Sequence, residues 1–149
     1  MNKYLSKQTI VKDISLSLLA EGKTIRIKAH GYSMYPCIKP GSLVLIEPLK
    51  MKGLPVPGEI IAIRRENGLI VHRLSKIINK NGITSYIARG DSNATADNPV
   101  KIDKIIGRIV RAETTGENQK LADISLNTKP DYIRNRLRVI FIFIWKKIH

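Results

Sequence analysis

Thr24-Ile25-Arg26-Ile27-Lys28-Ala29 alternates polar and apolar residues, the two-residue period of a strand with one face buried. The same texture returns downstream at Ser42 to Glu47, Glu59 to Arg64, Gly68 to Leu74 and Ser85 to Ala88, and Lys104 to Arg111 supplies one more strand. Turn signals separate these runs: Pro40-Gly41, Pro57-Gly58, Glu66-Asn67-Gly68 and Asn79-Lys80-Asn81-Gly82. Short strands without helices between them predict a mainly β, antiparallel, barrel-like domain.

Working outward, Ile10, Val11, Ile14, Leu18 and Leu19 recur at helical spacing, and Gly22 offers a stop. The expected division is an N-terminal amphipathic helix over 1–22 and a β domain over 23–112. A polar linker over 113–129 and a basic hydrophobic helix over 130–149 follow. Pro130 with Asp131 suits the start of that last helix. Its centre is apolar all round, with Arg134, Arg136, Arg138, Lys146 and Lys147 on its flanks. Two readings stand side by side: a helix that docks on the domain or forms a dimer contact, and an interfacial membrane anchor.

The chain has 149 residues, which suits one compact domain, and 43% are hydrophobic, enough for a core. The net charge of +14 attracts polyanions, either nucleic acid or an anionic membrane face. Common nucleic-acid motifs are absent from the sequence, so nucleic acid is the weaker expectation. No apolar run reaches the length of a membrane span, and the first thirty residues lack the pattern of a signal peptide. The expected location is therefore cytoplasmic or peripheral to a membrane. One cysteine, Cys37, excludes an intrachain disulfide, and it reads as a small buried filler. The histidines are scattered, so neither a metal nor a cofactor is expected.

Three segments carry candidate chemistry. Gly31-Tyr32-Ser33-Met34-Tyr35-Pro36 can present a serine hydroxyl on a tight turn, with backbone N–H groups aimed at the same space. A serine needs an adjacent base to attack a carbonyl. His72 stands in an otherwise apolar strand, Gly68 to Leu74, where a structural role is the commoner one for a histidine. Asp91 and Asp97 sit near a strand end; such carboxylates usually cap turns, though one of them could orient an imidazole. Tyr32, Met34, Tyr35 and Pro36 surround the serine as candidate substrate-binding residues.

These segments, in this order, resemble the catalytic boxes of type I signal peptidases, serine peptidases of the S24/S26-like kind. Ser33-Met34-Tyr35-Pro36 with Pro40-Gly41 looks like the nucleophile box. Val71-His72-Arg73 is similar to the branch found in archaea and the endoplasmic reticulum, where histidine replaces lysine. Arg89-Gly90-Asp91-Ser92-Asn93 with Asp97 looks like that branch's acidic box. The resemblance runs roughly from Lys28 to Arg111 and implies a serine endopeptidase that cleaves a peptide or preprotein, with small residues at the cleavage position. It implies Ser33 as nucleophile, His72 as general base, Asp97 as the residue that orients His72 and Asp91 as support for the acidic loop. Either aspartate remains open as the partner of His72.

The sequence departs from that family in three places. Gly31 stands where relatives have a serine whose hydroxyl helps stabilise the oxyanion, and Ser42 where they commonly have an acid. No membrane span precedes Ser33. The self-cleaving repressors of the SOS response share the broad fold, but they carry a Ser/Lys pair and a helix-turn-helix domain, for which the N-terminal region offers no room. The alternatives to a peptidase are a catalytically silent peptide-binding module and a basic nucleic-acid-binding barrel.

Overall fold

The computed structural model describes residues 7–66, 68–115, 121–123 and 125–148. Helix α1 (Lys7–Ala20) precedes seven strands: β1 (Ile25–Lys28), β2 (Leu43–Glu47), β3 (Ile60–Arg65), β4 (Gly68–Lys80), β5 (Ile83–Arg89), β6 (Ile105–Thr115) and β7 (Leu121–Asp123). Helix α2 (Tyr132–Ile148) follows. The strands form one antiparallel sheet in the order β1-β2-β6-β3-β4-β5. Glu113 of β6 pairs with Leu43 of β2 and with Asp123 of β7, so β7 lies on the edge of β6 that β3 occupies further back.

Among the described residues the sheet is open, with β1 and β5 at its ends, and is not closed into the expected barrel. Two buried clusters hold it. Leu19 of α1, Ile25, Met34, Ile38, Val44, Ile46, Ile60 and Ala62 belong to one, and Ile61, Ile63, Leu74, Tyr86, Val100 and Ile105 to the other. Strand β3 feeds both, because successive side chains leave opposite faces of a strand. That is why Ile60-Ile61-Ala62-Ile63 is an unbroken apolar run and all four residues are buried.

The β4–β5 hairpin is longer than the alternation predicts. Beyond Leu74 its residues are largely exposed, Ile77 and Ile78 among them, so no burial pattern marks this part as strand. Backbone pairing and the turn carry it instead: Lys80 pairs with Ile83 across Asn81 and Gly82, which take φ of 52° and 76°. Two successive left-handed residues match the twist of a two-residue hairpin, and Asn-Gly adopts them at low cost.

The segment read as a linker also carries structure. β6 runs on to Thr115, β7 pairs with it, and residues 125–128 lie against the domain, where Leu126 O and Thr128 Oγ1 accept hydrogen bonds from Arg73. Helix α2 then crosses the loops at one end of the sheet. Asn135 is buried there and donates to Asp91 O, and the Tyr132 ring lies 3.7 Å from the Arg89 guanidinium carbon.

Candidate active site

Ser33 lies in the loop from β1 to β2. Gly41 N–H donates to Ala29 O and Ala29 N–H to Ser42 O, which closes the loop's base. Buried Met34 and Ile38 pin its middle into the core. Gly31 takes φ of 76°, a left-handed conformation that L side chains rarely adopt. The position where the resemblance leads one to expect a serine thus has a backbone that favours glycine.

The acidic loop clasps this turn. Ser92 N–H donates to Ser33 O at 2.9 Å, and Ser92 Oγ donates to Tyr32 O at 2.6 Å. Gly90 permits the approach: a Cβ there would stand 2.7 Å from Ser33 O and 2.8 Å from the Asn93 side chain. Ser92 is a residue of this site that the sequence reading does not single out. Its place in the acidic box was its signal, but a buried serine holding a neighbouring backbone has no motif of its own.

His72 sits on β4 opposite Ile61 of β3 and is 7% exposed. Its Nδ1 lies 2.6 Å from Asp97 Oδ2. Asp97 is held in turn by its own N–H, which donates to Ala88 O, and the backbones of Tyr86 and Val100 pair just beyond. A carboxylate only accepts, so the pair is made with the proton on Nδ1. In the neutral form of the ring, Nε2 is then the nitrogen with the lone pair that a base requires.

Asp91 has another task. Its two oxygens receive Arg73 Nε at 2.9 Å and Arg73 Nη2 at 2.8 Å, a two-pronged buried ion pair. His72 and Arg73 are neighbours on β4, and a strand sends neighbours to opposite faces. One therefore meets Asp97 and the other Asp91. Burial works against the Arg73 charge, but the bonds and charge of Asp91, with the nearby Cys37 sulfur, outweigh it and raise its pKa above the ordinary arginine value. Cys37 is half-buried, its sulfur 3.5 Å from Arg73 Nη2.

Ser33 and His72 line a common cleft of about 160 Å³ with Ile27 to Gly31, Met34 and Leu69 to Val71. Two sheet edges border it. Among the described residues β1 pairs only with β2, and residues 68–72 of β4 pair only with β3. Of the residues expected to bind substrate, Met34 lines this cleft. Tyr32, Tyr35 and Pro36 do not: Tyr32 packs on Tyr35 and on Phe143 of α2, and Pro36 lines a separate cavity beneath α2. A larger cavity of about 770 Å³, lined by Lys12, Arg64, Arg65 and Lys101 among others, holds neither Ser33 nor His72.

No curated protein gives a match to this chain. The family described as Peptidase S24-like matches residues 3–110, a span that holds Ser33, His72, Asp91, Asp97 and every strand that lines the cleft. With its antiparallel sheet and more than two thirds of its length covered by that match, the chain belongs to the Peptidase S24-like family.

Proposed function

We propose that this protein is a serine endopeptidase of the signal-peptidase type, in which Ser33 is the nucleophile and His72, oriented by Asp97, is its base. The observation that carries the reading is the 2.6 Å contact between His72 Nδ1 and Asp97 Oδ2 beside a cleft that Ser33 shares. A peptidase that paired its serine with lysine would need a side-chain amine at position 72 to take the proton, and this chain has an imidazole.

The substrate enters as an extended segment between the unpaired edges of β1 and β4, where main-chain hydrogen bonds hold it regardless of side chain. Ser33 Oγ attacks the scissile carbonyl carbon as His72 Nε2 takes its proton. Negative charge develops on the carbonyl oxygen, and the backbone N–H of Ser33 stabilises it. His72 returns the proton to the departing amine, the C–N bond breaks, and an ester on Ser33 remains. Water, deprotonated by the same imidazole, then releases the acid product and restores the hydroxyl. Asp97 stays ionised throughout and stabilises the imidazolium at each proton transfer.

The test is cleavage of a peptide library rich in small residues, read by mass spectrometry, with Ser33→Ala and His72→Ala run beside the wild type. Loss of cleavage in both variants supports the reading. Peptide binding by a wild type that cleaves nothing overturns it in favour of a silent binding module, which the absence of a side-chain donor at Gly31 would explain.

A further inference from the structure

Helix α2 lies outside the residues matched to the family, and its exposed surface is sorted in a way the domain does not require. Asn135 is buried and Tyr132, Val139 and Ile142 are half-buried, which marks the side that meets the protein. On the opposite side Ile133, Leu137, Ile140, Phe141, Ile144 and Ile148 follow one another at intervals of four, three, one, three and four residues. That is the helical repeat, so they form one apolar stripe on the order of 100° wide. Each is between 43% and 78% exposed. The cations border the stripe: Arg136 and Lys147 fall along one margin, Arg134 and Arg138 along the other. The helix itself carries no acid.

We propose that α2 lies in the plane of an anionic lipid surface, its stripe among the acyl chains and its flanking cations on the headgroups. Among the described residues no helix is long and apolar enough to cross a membrane, and α2, at roughly 25 Å, suits lying in the interface. A second copy is the poorer occupant. Pairing two such stripes would bring together cation-lined margins of molecules that each carry +14, whereas anionic headgroups neutralise the same charges. The helix is also tied to the candidate site: Phe143 packs edge-on against Tyr32 at 5.2 Å, and Lys146 Nζ donates to Tyr32 OH at 2.7 Å. Tyr32 adjoins Ser33, so α2 holds the Ser33 turn about 10 Å, one helix diameter, from the lipid surface. Binding to lipid does not depend on the peptidase reading, and its measurement does not use cleavage.

The experiment is flotation of the full chain with phosphatidylcholine vesicles, with and without phosphatidylglycerol, alongside emission from Trp145, the single tryptophan. Wild type floats with the anionic vesicles and its emission shifts to the blue. The double variant L137S/I144S changes two exposed side chains, keeps its circular dichroism and loses more than roughly tenfold in binding. Arg136→Gln and Arg138→Gln each weaken binding by roughly fivefold. Absence of flotation with either vesicle at low salt overturns the proposal. So does binding that L137S/I144S leaves intact, which would make the contact purely electrostatic. A concentration-dependent dimer that shifts Trp145 emission without lipid would assign the stripe to a second copy.

Discussion

Asp91 and Asp97 stand six residues apart in one loop, and exchanging each carboxylate for an amide separates their tasks. In Asp97→Asn, His72 Nδ1 loses its charged acceptor, and the amide can equally turn a donor toward the ring and favour the wrong tautomer. In a Ser-His-Asp triad that change costs about 10⁴ in kcat. The Asp97 side chain is 16% exposed, so water offsets part of the loss, and a fall of roughly 10²–10⁴, about 2.7–5.4 kcal/mol, is expected. Stability changes little, by about 1 kcal/mol for one hydrogen bond. In Asp91→Asn the Arg73 guanidinium is left buried against a neutral group, a loss of roughly 3–5 kcal/mol. At about 2.1 cal/mol/K per residue over 149 residues, that lowers Tm by roughly 10–16 °C, against roughly 3 °C for Asp97→Asn. The assay pairs thermal denaturation with library cleavage well below the lower Tm. A folded Asp91→Asn that cleaves nothing, beside an Asp97→Asn of normal rate, would refute the assignment.

Two further substitutions probe the turn that carries Ser33. Gly90→Ala places a Cβ 2.7 Å from Ser33 O, so the clasp by Ser92 must shift; a loss of roughly 1–3 kcal/mol and a lower cleavage rate are expected, checked by Tm and by mass spectrometry of the products. Gly31→Ser meets nothing within 4 Å yet must hold φ near 76°, which costs roughly 1–2 kcal/mol; an unchanged Tm would mean that the turn relaxes out of the left-handed region.

Much of the architecture is legible in the sequence. Strand alternation and glycine- or proline-marked turns placed β1 to β6 near their observed positions, because a half-buried strand and a tight turn each impose a local rule on residue type. The Ser33, His72 and acidic segments were likewise visible as short local patterns. Sheet closure was not, because it depends on which edges remain unpaired once every strand is placed. The tip of the β4–β5 hairpin also left no trace, since backbone pairing without burial imprints no alternation.

The tertiary structure alone decided which aspartate meets His72. Both carboxylates lie on the same loop. The choice follows from the opposed directions of His72 and Arg73 on β4 and from the hydrogen bond that docks Asp97 N–H on Ala88 O. Packing also decided where α2 rests, with Phe143 against Tyr32, and it turned an apolar stripe of that helix outward. Sequence sets what each residue can do with its near neighbours; long-range packing sets which distant groups become neighbours, and the meeting of His72 with Asp97 beside Ser33 depends on the second.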